Sequence, residues 1–197
     1  MASSAGLEAT INFDKVTDSI IVGSCLRNAA DAETARQGGT AVVFSLQDET
    51  DLSDQKIDAA AVAAACEAAG IKYVRLGTSD IGKRRHEAEL RQRLPAAVAA
   101  FAREVQGAGD GSAYIHCNGG RGRAPTIVVA FLYWLAGQSL DEAVATMTAG
   151  RSSKPKLPVI VGATGDLLGE AADGVQPKAQ LTDAERATLK AKLDALV

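Results

Sequence analysis

Eight residues carry the chemistry that can be read from this chain: His116-Cys117-Asn118-Gly119-Gly120-Arg121-Gly122-Arg123. A cysteine opens the run and an arginine closes it six positions later. Three glycines lie between them, where the backbone must either turn with positive φ or come close to a ligand. The apolar stretch Ala113-Tyr114-Ile115 before the run reads as a strand, and residues 124–135 after it as an apolar helix. A glycine-rich loop between a strand and a helix gathers backbone N–H groups at the positive end of the helix dipole, so it suits an oxyanion. A cysteine at the base of that loop points to nucleophilic attack on phosphorus.

The expected roles follow from chemistry. Cys117 is the candidate nucleophile, and the loop amides, the helix dipole and Arg123 all favour its thiolate. Arg123 can grip two equatorial phosphate oxygens through its planar fork, and a cation at a helix start opposes the dipole, which argues for a purpose there. Asn118, Gly119, Gly120, Arg121, Gly122 and Arg123 form the expected phosphate-binding loop. His116 is expected to orient the loop rather than to shuttle protons. Arg121 is a second cation in the loop: either a solvated side chain, or a contact for a substrate with extra negative charge. A leaving oxygen needs a proton and the following water needs a base, and one carboxyl group on a loop can serve both. Asp80, in Gly77-Thr78-Ser79-Asp80-Ile81-Gly82, is the candidate; an ordinary turn aspartate is the competing reading. No His/Cys/Asp/Glu spacing matches a metal site, so neither metal nor cofactor is expected.

The elements that must hold these residues alternate. Strands are expected at 16–23, 40–46, 71–76 and 113–116. Helices are expected at 28–37, 57–69, 86–105, 124–135, 140–148, 160–169 and 181–196. Pro95 is expected to kink or split the long helix. Ser139 is a helix N-cap, and Thr182 with Glu185 has capping-box spacing. This alternation implies an α/β fold with a central, mostly parallel sheet flanked by helices, the loop lying at the carboxyl end of a strand. Residues 1–12 read as a tail, 13–170 as the catalytic domain, and 171–197 as a linker and helix packed on it.

Composition bounds the function. The 197 residues are 47% hydrophobic and 23% charged, with a net charge of −3. That excludes a broad nucleic-acid surface, and no apolar run is long enough to span a bilayer. Cys25, Cys66 and Cys117 are too few and too odd a set for a disulfide scaffold, which suggests a reducing compartment. The start lacks the apolar core of a secretory signal. The expected address is a plastid if a transit peptide has been removed, and otherwise the cytoplasm. Nothing dictates assembly, and a monomer is favoured.

The loop resembles the Cys-x5-Arg signature of the dual-specificity phosphatases, and the resemblance extends over about residues 13–169. It is strongest toward the plant starch-related glucan phosphatases. The residues that carry it are 14–24, Leu46-Gln47, 94–98, Gly122-Arg123-Ala124-Pro125, Pro155-Lys156-Leu157 and 162–168. The resemblance implies a dual-specificity phosphatase-like fold, Cys117 as nucleophile, Arg123 on phosphate, Asp80 as general acid, and a role in starch metabolism. The chain departs from the glucan group where that group carries sugar-stacking aromatics: it has Asp54, Gln55, Ile81, Lys154 and Ala184 there. Ser45 stands where some plant members carry a redox-partner cysteine. The expected activity is therefore phosphomonoester hydrolysis through a phosphocysteine, on phosphoglucan or, alternatively, on an inositol phosphate or a phospholipid such as phosphatidylglycerophosphate. An inactive phosphatase-like scaffold is the reading from another class, and the intact Cys117, Arg123 and Asp80 oppose it.

Overall fold

The structure, a computed structural model, describes residues 8–78, 84–170 and 177–196, with backbone alone for 84–86. Asp80 and Ile81 lie outside the described residues. Among the described residues, β1 (Phe13–Thr17), β2 (Ile20–Gly23), β3 (Thr40–Ser45), β4 (Lys72–Arg75) and β5 (Ser112–His116) form one sheet in the order β1-β2-β5-β3-β4. The pairs β2–β5, β5–β3 and β3–β4 are parallel, and β1 adds an antiparallel edge. The sheet is thus mostly parallel, as expected. The single strand expected at 16–23 is in fact a hairpin. Asp18 and Ser19 form its turn, and Phe13–Thr17 folds back along Ile20–Gly23.

Alternating side chains divide the core into two. Ile20, Val22, Phe44, Leu46, Ala113, Ile115 and Cys117 face one cluster. That cluster is completed by helices α4 (Arg84–Gly107), α5 (Arg123–Trp134), α6 (Leu140–Gly150), α7 (Leu157–Leu168) and α8 (Asp183–Asp194). Ile21, Val43 and Tyr114 face the other, covered by α1 (Ala29–Gln37), α2 (Glu49–Gln55) and α3 (Ala59–Ala68). β5 lies in the middle of the sheet and is buried along its whole length, so its last residues enter the site from a fixed position.

Several sequence signals have direct counterparts. Ser139 caps α6 and Thr182 caps α8, each in a reciprocal capping box. α4 runs as one element with Pro95 inside it, so the expected split does not occur. α2 was not expected. It is a short acidic helix whose buried residues are Asp51 and Leu52, and Asp48 and Asp51 form its capping box. α8 packs Leu189 and Leu193 into the larger cluster. Its Arg186 donates to the Tyr133 carbonyl, in the last turn of α5, and to the Gly137 and Gln138 carbonyls in the segment that follows.

Candidate active site

β5 delivers His116 and Cys117, and α5 begins at Arg123, so the loop between them is held at both ends by buried elements. Its carbonyls are taken up from outside, one after another. The Asn118 carbonyl accepts from the Cys25 N–H at 2.9 Å. Those of Gly119 and Gly120 accept from the Arg151 guanidinium at 3.1 and 3.2 Å. The Arg121 carbonyl accepts from the Lys154 N–H at 2.8 Å, and that of Gly122 from the Thr126 amide and hydroxyl at 3.0 and 2.9 Å. A peptide's N–H points opposite to its C=O, so pinning the carbonyls outward turns the amides inward. α5 adds to this set, because its N-cap Gly122 offers no side-chain acceptor to the first helical amides. Of the three loop glycines, Gly120 alone has positive φ, at +64°. A Cβ there would lie 2.3 Å from the Gly23 carbonyl, so glycine is obligatory at this position.

His116 is buried, and its Nδ1 lies 3.0 Å from the Cys117 carbonyl oxygen. The contact ties the ring to the turn between strand and loop. Burial pushes its imidazole down to about 4; the carbonyl contact opposes that shift and the Arg123 charge adds to it. His116 is therefore neutral near pH 7. Cys117 is buried at the base of the loop, on the sheet face of the larger core cluster.

Arg123 is no surface side chain: it is 2% exposed and sits at the centre of a polar network. Its Nη1 donates to Asp51 Oδ2 at 2.5 Å, to the Thr78 carbonyl at 2.6 Å and, more weakly, to the Leu46 carbonyl at 3.4 Å. Its Nη2 donates to Asp51 Oδ1 at 3.1 Å, which makes the carboxylate contact two-pronged. The same Oδ1 accepts from Asn118 Nδ2 at 2.6 Å, and Asn118 Oδ1 accepts from Gln47 Nε2 at 3.0 Å. Burial alone would raise the Asp51 carboxyl. The Arg123 bond and charge, the Asp48 amide and the Asn118 amide outweigh it and hold the group below the ordinary aspartate value.

Two residues of this network were missed by sequence reasoning. Asp51 carries the charge opposite Arg123, and the available signal was the Asp48-x-x-Asp51 spacing, an acidic variant of the capping box. Arg151 is 7% exposed and braces the loop through two carbonyls, while Asp14 accepts from its Nη1 at 2.6 Å and Asn12 from its Nη2 at 2.5 Å. No local pattern marks it, because its partners are backbone atoms and residues more than a hundred positions away. Arg121 and Lys154 are exposed beside the loop. The general-acid candidate Asp80 follows Thr78 by two residues, and Thr78 is tied to the site through its carbonyl on Arg123 and its amide on Leu46. Among the described residues no His/Cys/Asp/Glu cluster could hold a metal. Cys25, Cys66 and Cys117 are free thiols.

A central, mostly parallel sheet with a braced Cys-x5-Arg loop at the carboxyl end of its middle strand is the fold of the dual-specificity phosphatases, which this chain shares. In sequence it is similar to plant phosphoglucan phosphatases. It is 34% identical over 167 residues to the amyloplastic phosphoglucan phosphatase DSP4 of Castanea sativa, spanning 82% of this chain and 42% of that protein. It is 27% identical over 164 residues to the chloroplastic phosphoglucan phosphatase LSF1 of Arabidopsis thaliana, spanning 83% of this chain and 27% of that one. The chain thus spans less than half the length of these curated relatives. No family model matches it. The crystal structure of PTPMT1 in complex with PI(5)P shares the fold, with a TM-score of 0.59 at 17% identity over 91% of this chain and 97% of that one.

Proposed function

We propose that this protein hydrolyses phosphomonoesters through a phosphocysteine, and that its substrate is a phosphoglucan. The observation that carries the reaction is the inward amide cradle, with every carbonyl from Asn118 to Gly122 engaged elsewhere and Cys117 at its base. In the first step the Cys117 sulfur attacks phosphorus, an S–P bond forms, and the P–O bond to the leaving alkoxide breaks. Asp80 gives that oxygen its proton. In the second step a water attacks phosphorus, passes a proton to Asp80, and the S–P bond breaks to release inorganic phosphate and the thiolate. The loop amides and Arg123 hold the phosphoryl oxygens throughout; such fixed dipoles stabilise charge that grows in the transition state. The role of Asp80 draws support from its tether. Asp80 follows Thr78, whose carbonyl meets Arg123, by two residues, a stretch of chain that spans at most about 7 Å.

The phosphoglucan assignment rests on the two plant relatives, whose names also support a plastid location. Among the described residues no helix is long and apolar enough to cross a membrane. The second reading, an inositol-phosphate or phospholipid substrate, is favoured by exposed Arg121 and by a fold neighbour solved with PI(5)P. Phosphate release from amylopectin, phosphopeptides and inositol phosphates at matched enzyme concentration separates the two. Cys117→Ser must abolish turnover on every substrate, and an unchanged rate rules out the mechanism. Asp80→Ala should slow esters with poor leaving groups far more than aryl phosphates; equal slowing would remove Asp80 from the acid role.

A further inference from the structure

Asn118 follows the nucleophile in the chain, yet both ends of its side-chain amide are engaged outside the loop, on the segment that joins β3 to α2 and on α2 itself. Its Nδ2 donates to Asp51 Oδ1 at 2.6 Å, and its Oδ1 accepts from Gln47 Nε2 at 3.0 Å. The polarity of this chain of bonds is dictated. An ionised Asp51, facing Arg123, can only accept, so Asn118 turns its NH2 toward it and its oxygen toward Gln47, which must then donate. Gln47 is buried, and its own carbonyl accepts from Arg75 Nη1 at 3.2 Å, so the donor is held in place. The Asn118 carbonyl is pinned as well, by the Cys25 N–H at 2.9 Å. Asp51 Oδ1 takes a further bond, from Arg123 Nη2 at 3.1 Å. A single oxygen atom therefore joins the first residue after Cys117 to the arginine that closes the loop.

Resting on the phosphatase reading above, we propose that Gln47 and Asn118 are positioning residues for that reaction: through Asp51 they fix where Arg123 stands relative to Cys117 and the loop amides. The Asn118 side chain acts on the loop rather than on the substrate, since its amide faces Gln47 and Asp51. Gln47 acts one step further out, by fixing which way the Asn118 amide turns. Without its N–H, nothing in this chain of bonds holds the Asn118 oxygen away from Asp51, and the link between the two ends of the loop slackens. The effect is felt in the transition state. There the loop amides and Arg123 must meet three equatorial phosphoryl oxygens at once, so a shift at one end of the loop costs rate, while attraction of the ground-state ester by charge persists.

The test separates kcat from KM with p-nitrophenyl phosphate, at a temperature where each variant is folded by circular dichroism. Asn118→Ala removes both bonds, and Gln47→Met removes one donor at nearly the same volume. Each should lower kcat by about ten- to a hundredfold, the cost of a misplacement of up to about 1 Å, with KM within about twofold of the wild-type value. Vanadate, which becomes five-coordinate on a cysteine sulfur, should lose affinity in step with kcat, while inorganic phosphate keeps its inhibition constant. Because both residues act through one chain of bonds, the double variant should fall no further than Asn118→Ala. A wild-type kcat in both single variants overturns the proposal and leaves the phosphatase reading intact. A raised KM at unchanged kcat also overturns it, since that result assigns Asn118 to substrate binding. Losses that multiply in the double variant show two separate roles and overturn the shared chain. Failure of the wild-type protein to hydrolyse p-nitrophenyl phosphate, or equal hydrolysis by Cys117→Ser, overturns the phosphatase reading and the proposal with it.

Discussion

Replacing Asp51 by asparagine separates a charge from a shape. Asparagine keeps the volume and one acceptor oxygen, so α2 and its packing persist. What goes is the negative charge that faces Arg123 through two bonds of 2.5 and 3.1 Å, with both side chains 6% exposed or less. Solvent screens such a pair little, and removing one partner of a buried pair costs about 3–5 kcal/mol. Among the described residues Arg123 also donates to the Leu46 and Thr78 carbonyls, which puts the expected loss near the lower end. For a chain of this length about 3 kcal/mol lowers the melting temperature by roughly 6–12 °C. The kinetic effect is separate. A guanidinium that has lost its two-pronged anchor presents its remaining N–H groups to phosphate in the wrong place, and a misplacement of about 1 Å can cost on the order of a hundredfold in rate.

The assay pairs thermal melts with aryl-phosphate turnover, the latter at a temperature where the variant is fully folded. Asp51→Asn should melt lower, turn over about a hundredfold more slowly, and gain more stability from bound tungstate than the wild-type protein. The last effect arises because the oxyanion replaces the missing counter-charge on Arg123. The acid limb should change as well. A carboxyl whose native value lies below its unfolded value stabilises the fold above the unfolded value, and loses that contribution as pH falls through the native one. Asp51→Asn should therefore lose less stability on acidification. A variant with wild-type kcat/KM when folded would show that Asp51 supports the fold alone and does not position Arg123.

Three further outcomes follow from the site and its supports. His116, pushed down to about 4, should make the wild-type fold lose up to roughly 3 kcal/mol between pH 6.5 and 4, because there the unfolded chain binds a proton and the native one does not; His116→Gln should flatten that slope in pH-resolved denaturant melts, and a fold that gains stability on acidification contradicts the assignment. Gly120→Ala forces a Cβ to 2.3 Å from the Gly23 carbonyl at a φ of +64°, whereas a Cβ at Gly119 meets nothing within 4 Å, so turnover should collapse in the first variant and survive in Gly119→Ala; equal effects would refute the claim that the loop needs glycine at 120 and not at 119. Arg186→Met strips three donors from the end of α5 and should cost about 2–3 kcal/mol in urea melts, with the activity per folded molecule retained.

How far the site was legible depends on the range of the interaction that makes it. The loop, α5 and the two capped helices α6 and α8 declare themselves through neighbours in the chain: a strand before a glycine run, an apolar helix after it, Ser139 or Thr182 three residues before a glutamate. α2 was invisible because helix reading relies on apolar periodicity, and this helix buries one apolar residue, Leu52, beside a carboxylate. The hairpin was read as one strand because its two arms are β-rich and the turn between them is only two residues, Asp18 and Ser19. The edge arm Phe13–Thr17 is half exposed and polar, so it lacked the apolar run that marks a buried strand.

The same logic explains why Asp51 and Arg151 escaped notice while Cys117 and Arg123 did not. The proposed nucleophile Cys117 and the proposed phosphate-binding Arg123 lie on one short loop, so their spacing shows in the sequence. The residues that shape the loop carry no such constraint. Arg151 braces it from the end of α6, Cys25 from the residues after β2, and Asp51 holds its arginine from α2. Each acts on a carbonyl or a guanidinium, groups that any nearby donor or carboxylate can satisfy, so the chain is free to supply them from anywhere the fold brings close. The reaction is therefore encoded locally and its geometry globally. A chain could keep all eight loop residues and still lose the amide cradle by changing Arg151 alone. Arg151→Met tests that directly: with Cys117 and Arg123 untouched, released Gly119 and Gly120 carbonyls should lower kcat at least tenfold in the folded protein, and a wild-type kcat would show that the loop holds its shape unaided.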